Sequence, residues 1–375
     1  MKVLFDHQVF SWQKVGGISR YFVELIKHMN TSVESMMPSM WSENVFLSEL
    51  GNIKPAVRNT NLSTFRVRRI AYEWLNRRTS SQALMTKDYS LLHPTYYDPY
   101  FLKLRKSPYV ITVHDFTHEK YPHFFKDASK VIANKRLTVT NADRVIAISE
   151  NTKKDIIDFY GIPEEKIEVI YHGATLPSTI IEKVKGLPSR YILFVGDRNK
   201  YKNFSNMLEA FALLEKNDPQ LHLVCTGKPF NNDELIELRQ KGLRRKVHQY
   251  FVTNPQLSYL YTNASCFVFP SLYEGFGLPI LEAWASNCPI ALSNASCFPE
   301  IAREGAAYFN PEDPADMAHV IGDVIYNESV RKELLGHARY LLPQFTWQQS
   351  AFRTVGVYYK VLYGDNIEEQ SKPIW

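Results

Sequence analysis

Short apolar runs alternate with helix-period segments along the whole 375-residue chain. Runs of this length, separated by stretches in which apolar positions recur every three or four residues, predict parallel strands joined by crossover helices. In the first half, strands are expected at Lys2–Phe5, Ser90–His93, Tyr109–Val113, Arg144–Ile148 and Glu168–Ile170. In the second half they are expected at Tyr191–Val195, His222–Cys225, Val247–Phe251, Ala264–Phe269 and Pro289–Ala291. Each set is enough for one sheet, so the pattern predicts an α/β chain of two domains, residues 1–172 and 190–345. Periodicity is lost over 173–189, where Pro177, Gly186 and Pro188 mark a linker. Residues 346–375 close the chain, and a helix is predicted over 346–363 from Trp347, Phe352, Val355, Tyr358, Tyr359 and Leu362. No solenoid repeat or low-complexity tract interrupts this order.

Composition narrows the class. A chain with 45% hydrophobic and 22% charged residues is globular and not disordered. Its length is generous for one core and comfortable for two. No run approaches the ~18 consecutive apolar residues of a membrane helix. The start, Met1–Asp6, is too short and too soon acidic for a signal peptide and reads as a first buried strand. Cys225, Cys266, Cys288 and Cys297 show neither Cys-x-x-Cys spacing nor a neighbouring histidine pair, as expected of small apolar residues in a reducing compartment. A cytoplasmic location follows as the expectation.

The net charge of +5 is mild, and its distribution matters more. Arg58, Arg66, Arg68, Arg69, Arg77 and Arg78 share one stretch with a single acidic residue, Glu73. Phe65, Val67, Ile70, Ala71, Trp74 and Leu75 are interleaved so that several share a helical face. Such a helix suits peripheral contact between the Arg58–Arg78 region and the anionic inner membrane. A helix packed on the domain core with solvated arginines fits the same pattern. Nucleic-acid binding would call for a stronger basic excess, aromatic platforms and a recognisable motif, and none is present.

The most informative segment is Pro270-Ser-Leu-Tyr-Glu-Gly-Phe-Gly-Leu-Pro-Ile-Leu-Glu-Ala283. It follows a strand-like run, passes through a glycine-containing loop, and restarts as a helix with Pro279 in the first turn. Strand, loop and helix in this order aim free backbone N–H groups at an anion, usually a phosphate. Glu274 and Glu282 bracket the helix entry and can accept hydrogen bonds from sugar or ribose hydroxyls. A phosphate cradle flanked by hydroxyl acceptors describes a nucleotide-sugar site.

Three further segments carry candidate chemistry. Phe194–Phe204 follows a strand and opens a helix, and offers Arg198, Lys200 and Lys202 within five residues. Fixed cations stabilise a departing phosphate more than a bound donor, which lowers the barrier to its departure. Val15-Gly-Gly-Ile-Ser-Arg-Tyr21 places Gly16 and Gly17 after the first strand, before a helix expected over Phe22–His28. Paired glycines let a ligand approach the backbone closely. The pattern is not Gly-x-Gly-x-x-Gly, which disfavours a nicotinamide dehydrogenase. His114 stands at the end of a strand, where such sheets face their ligand crevice. His93 ends another strand and precedes an aromatic loop with Tyr96, which suits either stacking on an acceptor sugar or plain packing. His118 is expected on the acceptor side or at the surface.

The Pro270–Ala283 segment, with its Gly-Phe-Gly-Leu-Pro core, resembles the glutamate pair and loop of retaining glycosyltransferases of GT-B architecture, in particular the GT4 family. Supporting resemblances lie at Ala142–Ser149, Leu257–Ala264 and Pro299–Ile301, and the likeness is weakest between residues 30 and 90. It implies two Rossmann-like domains whose parallel sheets face across a cleft, and a C-terminal helix that crosses back to the N-terminal domain. It implies a catalytic set of His114, Arg198, Lys202 and Glu274. The donor would be bound by Gly16, Gly17, Gly196, Phe276, Gly277, Leu278 and Glu282, with Glu282 on the ribose and Glu274 on the donor sugar. Lys202 sits six residues past Gly196, as the family's lysine does. Asp197 stands where the family has an arginine, so the arginine's role passes to Arg198. Acceptor recognition would fall to the N-terminal domain, with His93, Tyr96 and His118 as candidates. No Asp-x-Asp site stands at a strand end of the donor region, so no metal and no cofactor beyond the nucleotide-diphosphate sugar co-substrate is expected. A GDP-mannose-like donor is favoured over a UDP-hexose. The acceptor would be a saccharide or lipid-linked saccharide of a surface polysaccharide such as O-antigen. A non-catalytic sugar-nucleotide-binding protein, an epimerase or a phosphorylase of the same architecture is the alternative.

Overall fold

The computed structural model describes residues 1–50, 65–175, 181–198 and 200–364, without the side chains of 65–69. Arg58, Pro177 and the side chains of Arg66, Arg68 and Arg69 therefore lie outside the described residues. The chain divides into two units, residues 1–173 with 346–375, and residues 174–345.

The first unit contains strands β1 (Lys2–Phe5), β2 (Glu34–Met36), β3 (Leu91–His93), β4 (Val110–Val113), β5 (Arg144–Ala147) and β6 (Ile167–Val169). They pair in the orders β2-β1-β3 and β4-β5-β6, all parallel, and a parallel bridge between Leu92 and Tyr109 joins the two groups. Hence β1 and β3 are neighbours although β2 lies between them in sequence, and the connections after them leave in opposite directions. The second unit contains β7 (Tyr191–Phe194), β8 (His222–Thr226), β9 (Val247–Tyr250), β10 (Cys266–Phe269), β11 (Ile290–Ser293) and β12 (Ala307–Phe309). Their order is β12-β11-β10-β7-β8-β9, again all parallel, with the reversal at the β7/β10 pair. Both units are doubly wound Rossmann-like sheets.

Pattern reading missed β2 and β12. Each has three residues, sits at a sheet edge, and is not fully buried, so neither carries a continuous apolar run. The helix expected from Phe22 begins at Gly17 and runs to Lys27. Gln13 explains the earlier start, because its Oε1 accepts the Ser19 N–H at 2.8 Å and so caps the first turn.

Helix Phe65–Met85 goes against the reading in which its apolar residues pack on the core. Its buried stripe is Tyr72, Asn76, Ser80 and Leu84. Asn76 fixes it in place, accepting the Trp41 N–H at 2.7 Å and donating to the Trp41 carbonyl at 2.8 Å. Ile70, Trp74 and Met85 face outward at 64%, 60% and 54% exposure, beside exposed Arg77 and Arg78. The last helix, Trp347–Tyr363, belongs to the first unit. Tyr358 shares a hydrogen bond with His93 Nδ1 at 2.7 Å, and Lys360 reaches Glu168 on β6 at 2.6 Å.

Candidate active site

In the second unit, the loops that leave β7 and β10 lie side by side at the strand-order reversal, where open α/β sheets bind ligands. The backbone joins them, since the Leu272 N–H donates to the Tyr201 carbonyl at 2.9 Å. Gly196 adopts φ +110° at the end of β7, and its N–H donates to Thr226 Oγ1 at 3.1 Å. Gly227, beyond β8, has φ +95°, and a Cβ there would meet the Gly196 carbonyl oxygen at 2.8 Å. Gly227 thus lets the loop after β8 approach the Gly196 backbone, while Gly196 itself is favoured by its positive φ.

From this base Lys202 extends to Glu274, and its Nζ donates to Oε1. The ammonium also lies 5.1 Å from the centroid of the Phe269 ring, at the end of β10. Ser296 holds the Glu274 backbone from both sides, accepting its N–H at 3.2 Å and donating to its carbonyl at 2.5 Å. Gly277 at φ +92° turns the chain into helix Leu278–Ala285. A Cβ at Gly277 would meet Ile280 Cδ1 at 2.9 Å and Phe298 Cε1 at 3.2 Å. Glu282 lies in that helix and accepts from Tyr261 at 3.3 Å. Phe276 is buried against Phe345, with ring centroids 6.1 Å apart, and so anchors the loop through packing.

Arg198 is placed differently from the expectation. Its side chain is 3% exposed, with Nε on Glu234 at 2.8 Å and the two terminal nitrogens on the carbonyls of Thr226, Lys228 and Pro229. The guanidinium also packs over Phe230 at 4.6 Å. These bonds commit it to the loop after β8 and to the helix Asn232–Gln240, so it positions that loop instead of presenting a cation. Lys202 is left as the cation paired with the glutamate loop. Among the described residues, no three His, Cys, Asp or Glu side chains group to hold a metal ion.

In the first unit, His114 follows β4 and is 7% exposed. Its backbone N–H donates to Tyr97 Oη at 3.0 Å, its ring lies 5.3 Å from Tyr21, and its Nε2 has no partner. Burial, with Asp115 opposing and Lys135 assisting, lowers the imidazole to about 4, so the ring is neutral at pH 7. His93 is fully buried, with Nδ1 on Tyr358 at 2.7 Å and Nε2 on Thr112 at 2.9 Å. Both nitrogens are committed, and His93 is a core residue joining β3, β4 and the last helix, not an acceptor contact. Tyr96 and His118 line one cavity of about 490 Å³ with Trp12 and Asp98. Gly16 packs on Gln13, whose side chain would lie 2.2 Å from a Cβ there. Gly17 opens the helix.

Pattern reading missed Asp6, which is buried at the end of β1. It accepts the Thr95 N–H at 2.8 Å, the Gln8 amide at 2.8 Å and the Tyr100 hydroxyl at 3.1 Å. An aspartate one residue past a strand end was the available signal.

Two family models divide the chain: glycosyltransferase family 4 matches residues 15–176, and glycosyl transferases group 1 matches residues 178–339. The chain is 26% identical to O-antigen chain mannosyltransferase B of Escherichia coli, over 96% of this chain and 99% of that one. It is 30% identical to O-antigen chain mannosyltransferase RfbU of Salmonella typhimurium, over 57% of this chain and 60% of that one. Among solved structures it superimposes on sucrose-phosphate synthase of Thermosynechococcus elongatus with a TM-score of 0.73 at 18% identity, covering 96% and 98% of the two chains. With paired Rossmann-like sheets and matches to both halves, this chain belongs to the GT4-like glycosyltransferases of GT-B fold.

Proposed function

We propose that the chain transfers a hexose, with mannose favoured, from a nucleoside diphosphate sugar to a saccharide or lipid-linked saccharide, with retention at the anomeric carbon. The observation that carries this reading is the pairing of Lys202 with Glu274 at the β7/β10 reversal, beside the entry of helix Leu278–Ala285. A diphosphate at that helix entry meets backbone N–H groups and the Lys202 ammonium. Glu274 and Glu282 then accept from the hydroxyls of the donor sugar and the ribose. Mannose, and a surface polysaccharide such as O-antigen, are favoured by the similarity to O-antigen chain mannosyltransferase B over nearly the whole chain.

In the proposed step the bond from the anomeric carbon to the β-phosphate oxygen breaks, and its electron pair stays on that oxygen. The acceptor hydroxyl oxygen forms the new bond on the same face, and its proton passes to the departing phosphate. Lys202 faces charge that grows along this path, so it contributes more to the transition state than to the bound donor. Neutral His114 supplies a hydrogen-bonding nitrogen in the first unit for a sugar hydroxyl.

Peripheral membrane contact is part of this reading. The outward stripe Ile70, Trp74 and Met85, flanked by Arg77 and Arg78, suits an anionic lipid surface. No helix among the described residues is long and apolar enough to cross a membrane.

The test is incubation of the full chain with GDP-mannose, UDP-glucose or UDP-galactose and a lipid-linked saccharide primer. Products would be read by mass spectrometry and the anomeric configuration by NMR. An α-linked mannose from GDP-mannose is the expected product. Nucleotide binding without transfer to any acceptor would favour a non-catalytic role.

A further inference from the structure

Lys135, in helix Ala128–Thr140, is a fully buried cation beneath the turn that carries His114. Its Nζ donates to the Asp115 carbonyl at 2.8 Å and to Glu119 Oε2 at 2.8 Å. Glu119 belongs to the short helix Thr117–Lys120, and its side chain is 3% exposed. Its other oxygen accepts the hydroxyl of Tyr160, at the end of helix Glu150–Tyr160. The ammonium also lies 4.8 Å from the centroid of the Phe116 ring and 5.4 Å from that of Tyr97. Three helices and the turn after β4 therefore meet at one charged nitrogen.

Stability alone is a poor reason for this arrangement. A buried ion pair adds little beyond what apolar side chains of the same volume would give, because both charges must be stripped of water. What the pair does supply is direction. An ammonium fixed by a carboxylate is a rigid donor, and this one is aimed at the carbonyl of the residue directly after His114. The same turn is held from its other side, where the His114 backbone N–H bonds Tyr97 Oη at 3.0 Å and Asp115 Oδ1 accepts the Thr117 N–H at 2.9 Å. Around the imidazole stand the rings of Tyr21, Phe22 and His172, with centroids 5.3, 6.0 and 6.3 Å away. The aim of Nε2 therefore depends on the turn. The charges acting on this imidazole besides burial are Asp115 and Lys135, of opposite sign, while burial keeps the neighbouring His93 and His172 neutral. Burial opposes ionisation of Asp115, but Lys135, the Thr117 bonds and His118 bring its carboxyl below the usual value. One side chain thus acts on both the geometry and the charge of the His114–Asp115 pair.

We propose that Lys135 is a positioning residue for His114: its buried ammonium, anchored on Glu119, holds the Asp115 carbonyl and so fixes the turn that aims His114 Nε2 at its ligand. The assignment rests on the transferase reading for the ligand, a sugar hydroxyl. It extends that reading to two buried residues that act on transfer only through His114.

A double variant of the full chain tests it. Lys135→Met with Glu119→Gln removes both charges together, so that neither is left buried alone. Transfer at about pH 7.5 should fall about tenfold, as expected of a misaimed group. GDP binding, which falls to residues of the second unit, should stay as in wild type. In a His114→Asn background the same pair of changes should lower transfer no further, because a residue that acts through His114 has nothing left to act on. A merely structural role would lower it in both backgrounds. Ring NMR of His114, assigned by its loss in His114→Asn, needs no substrate. Between about pH 7.5 and 4.5 the wild-type signal should move only slightly, since its midpoint lies at about 4. Without the cation the midpoint should rise by about one unit. The proposal is overturned if transfer is unchanged, if the loss persists in full in the His114→Asn background, or if the His114 signal titrates as in wild type. Should the double change prevent folding, Glu119→Gln alone keeps the ammonium and removes its anchor. Its loss of transfer should likewise vanish in the His114→Asn background, and no loss, or one that persists there, overturns the proposal. Absence of transfer by the wild-type protein with every donor and acceptor would remove the transferase reading, and the His114 titration would still decide for or against Lys135.

Discussion

Lys202 and Glu274, 72 residues apart, form an ion pair that ties the turn after β7 to the loop after β10. Each side chain is 16% exposed, so the pair is largely but not fully desolvated. The two residues have opposite relations to a diphosphate: the lysine attracts it, and the glutamate competes for the lysine. Glu274→Gln should therefore bind GDP or UDP several-fold more tightly while transfer falls by about 10²–10³-fold. Lys202→Met should weaken nucleotide binding and lower turnover together. Calorimetric titrations alongside initial rates would separate the effects. Weaker nucleotide binding in Glu274→Gln would show that the carboxylate orients the lysine instead of competing for it.

Arg198 is predicted to matter through folding. With its guanidinium on Glu234 and three carbonyls, Arg198→Ala leaves a carboxylate and several carbonyls without their donor. Breaking one side of such a pair costs about 3 kcal/mol. Arg198→Lys should recover little, because a single ammonium cannot span the same fork of acceptors. Urea unfolding of the three proteins checks this. A nucleotide affinity that falls steeply with unchanged stability would return Arg198 to the donor site.

Gly277→Ala tests the turn that starts helix Leu278–Ala285. At φ +92° an L-residue is strained by about 1–2 kcal/mol, and the added methyl meets Ile280 at 2.9 Å. The helix entry should shift by a few tenths of an ångström, so nucleotide affinity should fall more than stability does. Thermal melts with and without GDP give both numbers. An unchanged ligand-induced shift in midpoint would mean that the helix entry does not contact the diphosphate.

Much of this architecture was legible because buried parallel strands are short, continuous apolar runs. Val110–Val113 and Tyr191–Phe194 are buried at every position and were found to within a residue. The edge strand Glu34–Met36 is exposed or half-buried at every position and leaves no such run. Spacing singled out Lys202 and Glu274, which the fold brings into contact, but it did not show where Arg198 is committed, since a charge along the chain does not reveal its partner. Glu234, which claims that guanidinium, lies 36 residues away. The helix Phe65–Met85 shows a related limit: the pattern fitted either an outward apolar face or one packed on the core, and only the fold shows Asn76 and Ser80 buried by specific hydrogen bonds with Ile70, Trp74 and Met85 facing out. Of the residues lining the cavity of the first unit, the pattern singled out only Tyr96 and His118 as candidate contacts, since the cavity forms only when the segments after β1 and β3 become neighbours.

Four buried histidines predict an acid-sensitive first unit. Burial lowers His114 to about 4, His93 to about 3, His172 well below its usual value, and His7 in the same direction. Each is neutral when folded, whereas the unfolded chain takes up protons near pH 6.5. Between those values the unfolded state binds more protons, so stability rises with pH and falls as pH drops. For His114 the window runs from about 6.5 down to about 4, worth at most about 3 kcal/mol at about 1.4 kcal/mol per pH unit. Above pH 6.5 their contribution fades over about one pH unit. Urea midpoints at pH 7.5, 6.5, 5.5 and 4.5 should therefore fall little between the first two and more steeply thereafter. His114→Asn removes one titrating group and should flatten the decline without abolishing it, because His7, His93 and His172 remain. A wild-type midpoint that holds level to pH 4.5 would mean that these rings are solvated or already charged in the folded protein, and the neutral hydrogen-bonding role of His114 would fall with it.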